Sequence, residues 1–182
     1  MNKSLAMIEY STVSAGFLAL DVITKTAEVD ILTAQSICPG KFMILFSGEI
    51  SAVTASLDAA RGNALPNEID SFVLGNPHDD IFAALAGTTE VPQSGAIGLI
   101  ETYSGASAIV AADCAAKTAI VSLAEIRLSR GMCGKSTVLL TGEIAAVSAA
   151  LQAATRQLEL SGMLLDTALV PNPDEKMRTQ LF

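Results

Sequence analysis

Tryptophan is absent, aromatic residues make up only 4% of the 182, and His78 is the only histidine. With one imidazole, a serine–histidine–aspartate triad has a single possible base, and no Gly-x-Gly-x-x-Gly, Walker loop or Cys-x-x-Cys is present to bind a nucleotide or run dithiol chemistry. Nothing supports catalysis, and the chain is read as a non-enzyme. Basic residues are also scarce. Eleven Lys and Arg face 19 Asp and Glu, giving a net charge of −8 without any basic cluster, so the electrostatic footprint of nucleic-acid binding is missing. Long hydrophobic runs are missing too: the stretches at 42–46 and 138–140 are strand-length, far short of the ~20 residues a bilayer requires. The N-terminus lacks a basic segment followed by an apolar core, so neither a secretory signal nor a membrane partner is expected. The three cysteines, an odd number with no disulfide-type spacing, fit a reducing, cytoplasmic setting.

What is plentiful is small and aliphatic. Apolar residues make up 51% and mean hydropathy is +0.47. Such a chain, without bulky aromatics, suits close, flat interfaces and burial against copies of itself. The charge is uneven: residues 1–92 carry 4 basic and 11 acidic groups, or −7, and residues 93–182 carry 7 and 8, or −1.

The organising feature is an internal repeat. Met7-Ile8-Glu9-Tyr10 returns as Leu99-Ile100-Glu101-Thr102, and Asp21 and Lys25 return as Asp113 and Lys117, all at an offset of 92. Gly40-Lys41 returns as Gly134-Lys135 and Ser47-Gly48-Glu49-Ile50 as Thr141-Gly142-Glu143-Ile144, at 94; Asn76-Pro77 returns as Asn172-Pro173, at 96. Order is kept while small insertions accumulate, which is the signature of duplication. Each copy predicts strand, helix, strand, turn, strand, helix, strand: strands over 6–10, 30–36, 42–47 and 69–74 with helices over 14–27 and 50–61, then strands over 96–102, 121–128, 136–141 and 164–170 with helices over 105–118 and 144–160. Short strands alternating with longer helices indicate an α/β sandwich module. The Asn-Pro pairs end the last strand of each copy. Two domains are expected, 1–90 and 95–182, joined by a linker over 87–94.

With the repeat laid out, the series Ala15-Gly16, Asp21…Lys25, Gly40-Lys41 and Gly48-Glu49-Ile50, occurring again as Asp113…Lys117, Gly134-Lys135 and Gly142-Glu143, resembles the bacterial microcompartment shell domain. No single motif is specific; the ordered series, present twice, is. Ser36-Ile37-Cys38-Pro39-Gly40-Lys41-Phe42 is similar to the tandem-domain shell proteins of propanediol-utilisation compartments. The resemblance implies an α+β fold related to the ferredoxin-like one, with two such domains per chain. It implies a homotrimer forming a pseudohexameric tile among other shell proteins, and Lys25 and Lys117 as contacts at the tile edge. The turn after the second strand would point at the axis, so that Ser36, Ile37, Cys38, Pro39 and Gly40, with Met132 and Cys133 from the second copy, line a central pore.

In that arrangement Cys38 is the candidate metal and cofactor ligand. Three symmetry-related thiols match the threefold axis of a 4Fe-4S cluster and leave its fourth iron to another ligand, whereas a single-chain site needs four cysteines. The implied task is electron passage across the shell, or cluster delivery, for encapsulated redox enzymes. Two alternatives stay open: a pore for metabolites that Cys38 merely lines, and a duplicated small-molecule regulatory module with pockets between subunits. Cys133 departs from the family pattern; it is read as a bystander, with a second ligand set or a redox partner for Cys38 as alternatives. Cys114, in an Ala-rich helix, reads as core packing. His78 beside Asp79 and Asp80 reads as a helix N-terminus rather than a metal site. Glu9 and Glu101 occupy matching strand positions and read as a repeated structural hydrogen bond. Lys41 and Lys135 flank the turns, as surface charges or as attraction for anions at a pore mouth.

Overall fold

The computed structural model describes residues 4–62, 67–129 and 131–182. They divide into two compact units: Met1–Pro77 with Ser129–Gly134, and His78–Leu128 with Lys135–Phe182. The first unit contains β1 (Ser4–Tyr10), α1 (Val13–Thr26), β2 (Asp30–Ile37), β3 (Lys41–Gly48), α2 (Ile50–Gly62) and β4 (Glu68–Leu74). The second contains α3 (Asp80–Ala86), β5 (Ala96–Thr102), α4 (Gly105–Thr118), β6 (Val121–Leu128), β7 (Ser136–Gly142), α5 (Ile144–Leu158), β8 (Leu164–Val170) and α6 (Glu175–Leu181). The helix after β4 thus belongs to the second unit, where it packs on β6 and α4.

Each unit is a four-stranded sheet, ordered β2-β3-β1-β4 and β6-β7-β5-β8, with every pairing antiparallel. This is the split βαβ arrangement. Duplication extends to irregularities. A register shift falls between Glu9 and Tyr10 against β4, and again between Glu101 and Thr102 against β8; another falls between Ile31 and Thr33, and again between Leu123 and Glu125. Bulges of this kind re-aim the residues that follow, so their repetition means both copies bend in the same places.

One face of the first sheet packs on its helices because alternate strand residues are apolar. Ala6, Ile8 and Tyr10 of β1 join Phe42, Ile44 and Phe46 of β3 against Ala15, Ala19, Ile23, Val53 and Leu57. The small residues of α1 let it lie close. At Gly16 an added Cβ would run into the Phe42 ring, so only glycine fits between helix and strand. Helix starts also repeat: Thr12 accepts from the Ala15 N–H at 3.4 Å and Ser104 from the Ser107 N–H at 3.0 Å, each an N-cap satisfying an otherwise unpaired donor.

Candidate functional site

Cys38 lies at the tip of the reversal between β2 and β3. Ile37 pairs with Lys41 at the end of the ladder, and the Gly40 N–H donates to the Ile37 carbonyl at 2.9 Å. The Cys38–Pro39 peptide is cis, and Gly40 has φ +103°, a left-handed conformation that favours glycine. Nothing lies within 4 Å of a Cβ built at Gly40, so its backbone conformation, not space within the chain, demands glycine there. Ser36, Cys38, Pro39 and Gly40 are exposed. Ile37, expected beside them at a pore, is instead buried, and it contributes its carbonyl rather than its side chain.

The matching turn of the second copy folds into the first unit. Ser129 Oγ donates to the Gly134 carbonyl at 3.1 Å, closing the loop; Arg130 lies outside the described residues. Gly134, at φ +87°, is so close to the first turn that a Cβ would sit 3.0 Å from Lys41 Nζ and 3.1 Å from the Cys38 carbonyl oxygen. The structure therefore brings the two turns together. Cys133, at φ +52°, is exposed on the second turn, as Cys38 is on the first; Met132 is half-buried. Cys114 is only half-buried on α4 and so is not the core residue expected from its Ala-rich surroundings.

Beneath the turns lies a repeated ion pair. Glu9, wholly buried, faces Lys41 at 3.7 Å, and Glu101 accepts from Lys135 at 2.6 Å. Each lysine thus has a carboxylate partner within its own unit. They neutralise strand carboxylates and tie the start of β3 and the loop before β7 to the central strand of each sheet. Glu9 and Glu101 have the shared structural role their repetition suggested. The partner was missed because the glutamates and lysines were read separately, although both recur at nearly the same offset.

Next to Glu9, the Tyr10 hydroxyl is buried without a hydrogen-bond partner among the described residues. Burial, reinforced by the Glu68 carboxylate and opposed by Arg61, raises its pKa to about 12.

Lys25 donates to Asp21 at 2.7 Å in the open, whereas Lys117 donates to Asp113 at 2.6 Å with the carboxylate almost buried. Asp113 also accepts the His78 main-chain N–H at 2.7 Å, and the His78 ring caps α3 by accepting from the Asp80 N–H at 3.3 Å. His78 thus serves a helix start, as expected. Among the described residues no three His, Cys, Asp or Glu converge to hold a metal, and no helix is long and apolar enough to cross a membrane.

Two antiparallel split βαβ units with matched bulges, matched caps and matched Glu–Lys pairs define the chain. The BMC-domain family model matches it twice, over residues 4–77 and 96–173. The chain belongs to the BMC-domain family. It is 32% identical over 183 residues to the bacterial microcompartment shell protein PduT of Citrobacter freundii, an alignment spanning 100% of this chain and 98% of that one. Among solved structures, a microcompartments protein from Desulfitobacterium hafniense DCB superposes with a TM-score of 0.86 at 38% identity, covering 98% of this chain and 99% of the other. A fused permuted hexameric shell protein from the RMM microcompartment superposes with a TM-score of 0.66 at 25% identity, covering 87% and 84%. The chain is a structural microcompartment shell protein with two BMC domains in tandem.

Proposed function

We propose that three copies of this BMC protein form a pseudohexameric shell tile whose three Cys38 thiols hold one 4Fe-4S cluster at the axis, for electron transfer across the shell. The observation that carries this is the position of Cys38: an exposed thiol, in no disulfide, at the tip of a hydrogen-bonded turn. A single chain does not gather three metal ligands among its described residues, so a cluster on Cys38 needs the thiols of other copies. The donor set fits the group: thiolate is the ligand iron–sulfur clusters take, and Cys38 can reach it without unfolding anything. Bound there, the cluster supplies one-electron redox chemistry. The chain's own residues hold the thiol in place: the Ile37–Gly40 hydrogen bond closes the turn, and Gly134 buttresses it from the second copy. The fusion of two unlike copies matters here, because a ring of identical domains would present six Cys38 turns and this ring presents three, with Cys133 on the differing turns between them.

The test is anaerobic purification with iron and sulfide determination, followed by EPR after one-electron reduction. About four irons per trimer, an EPR signal, and loss of both in Cys38→Ser with the trimer intact are expected. A trimer that stays colourless after iron–sulfur reconstitution, or a Cys38→Ser protein with unchanged iron, overturns the cluster and leaves a pore lined by Cys38 in its place.

A further inference from the structure

Two of the three thiols are exposed, and they stand on two turns that touch. Cys38 is in the reversal between β2 and β3 and Cys133 in the one between β6 and β7, while Cys114 lies half-buried within α4. The segment Ser129–Gly134 leaves its own sheet and packs with the first unit. There the backbone of Gly134 meets that of Cys38: a Cβ at Gly134 would lie 3.1 Å from the Cys38 carbonyl oxygen. Ordinary bond lengths then keep the Cα atoms of Gly134 and Cys38 within ~7 Å of each other. A disulfide joins Cα atoms ~4.4–6.8 Å apart, and Cys133 is the residue next to Gly134.

The repeat does not account for this second thiol. At the offset that relates Gly40-Lys41 to Gly134-Lys135, Met132 takes the place of Cys38 and Cys133 that of Pro39. Cys133 is therefore not the copy of Cys38 but a separate thiol brought beside it. Packing does not account for it either. A free cysteine usually serves as a small buried hydrophobe, and Cys133 is exposed.

We infer that Cys133 is the redox partner of Cys38: the two thiols close a disulfide within one chain when a small-molecule disulfide serves as oxidant, and that bond withholds Cys38 from the iron–sulfur cluster. The exchange balances. One cysteine thiolate attacks a sulfur of the small disulfide RSSR, forming a mixed disulfide and expelling RS⁻; the second cysteine then attacks the sulfur of the first and expels the other RS⁻. Two cysteine sulfurs lose two electrons, RSSR takes them, and the two cysteine protons end on two RSH. A small thiol runs the reaction backwards. Where thiols are kept reduced, disulfides of this kind are transient and redox-sensing. The disulfide stands on the contact between the turns alone; its effect on loading rests on the cluster reading above. The thiolate is the metal ligand, so a sulfur tied up in a disulfide does not hold iron and a sulfur on iron is not free to attack. Bond and cluster exclude each other.

Glutathione disulfide in excess, added anaerobically to iron-free protein that has been reduced and desalted, tests this directly. Of the three thiols in each chain only that of Cys114 should remain, with a mass about 2 Da lower. Digestion should yield a Cys38–Cys133 peptide pair, and a non-reducing denaturing gel should show single chains. Cys133→Ser should load iron as the wild type does and form no internal bond. Iron-loaded wild type should form the bond roughly tenfold more slowly, or slower still, than the iron-free protein. Separate glutathione adducts on Cys38 and Cys133, or pairing only between chains, overturn the disulfide. Loss of iron in Cys133→Ser makes Cys133 a ligand and overturns the switch, as do equal rates with and without iron. A wild type that takes up no iron overturns the cluster reading instead and leaves the mass measurement to decide the disulfide.

Discussion

Removing one oxygen from the core tests the reasoning about burial most sharply. Tyr10 is 1% exposed, its hydroxyl has no hydrogen-bond partner among the described residues, and its pKa is raised to about 12, against about 10 in the unfolded chain. The folded state therefore favours the neutral phenol. Below pH ~10 both states are protonated and the shift has no effect on stability; above it the unfolded chain ionises first, and stability falls until the folded phenol also titrates near pH ~12. Two units correspond to roughly 3 kcal/mol lost across that window. Tyr10→Phe removes this loss. At neutral pH it should cost less than ~1 kcal/mol, because an unsatisfied hydroxyl is deleted and the ring remains. Urea midpoints of both proteins from pH ~8 to ~11.5 provide the assay, with the difference between them isolating Tyr10 from lysines that titrate in the same range. The tyrosinate absorbance that Tyr10→Phe removes should be the part that rises well above pH ~10. A lost component that rises near pH ~10, or a wild-type and variant that lose stability in parallel, would refute the burial argument.

The Glu–Lys pairs set geometry against burial. Glu101–Lys135 is the shorter at 2.6 Å but partly exposed, and Glu9–Lys41, at 3.7 Å, has a fully buried carboxylate. Burial should dominate: Lys41→Met should cost ~3–5 kcal/mol by leaving a buried charge without its cation, and Lys135→Met only ~1 kcal/mol; equal losses in urea unfolding would contradict this. Gly134→Ala combines a left-handed φ with contacts of 3.0–3.1 Å to Lys41 and Cys38, whereas Gly40→Ala meets only the φ penalty. The first should destabilise by ~2–3 kcal/mol and the second by ~1 kcal/mol, and a reversed order in thermal unfolding would show that the two turns do not support each other.

Much of the fold was legible because duplication printed it twice. The strand boundaries at 96–102, 121–128 and 164–170 match the sequence expectation residue for residue, since each largely apolar run is followed within two residues by Ser or Pro. The helix α6 was missed: Glu175-Lys176-Met177-Arg178-Thr179-Gln180 is polar at all positions but one, and none of its residues is buried. The ion pairs were missed for a different reason. Glu9 and Lys41 lie on neighbouring strands, with Glu9 opposite Met43 in the register, and that diagonal proximity exists only once the sheet is formed. Cys38 could be placed at a turn from Pro39-Gly40 alone, but that the second copy's turn leans on it depends on tertiary folding that no local pattern encodes.

The differences between the copies follow from how each face is covered. The cover on α4 is part of the same chain, so it arrives at high effective concentration and smaller side chains suffice beneath it: the covered positions include Gly105 and Ile109 of α4 and Ala124 of β6, all buried. A cover from another chain must first offset the ~4–15 kcal/mol of freedom lost on association. At ~25 cal/mol per Å² of apolar surface, that requires larger groups. The α1–β2 face of the first unit carries them: Phe17 where α4 has Ile109, Leu18 where it has Val110, and Leu32 where β6 has Ala124. Replacing Phe17 and Leu32 by their smaller counterparts, Phe17→Ile with Leu32→Ala, should leave the fold of the chain intact and weaken only its association. Unchanged association in sedimentation would mean that the excess apolar area of the first unit serves something other than a second copy.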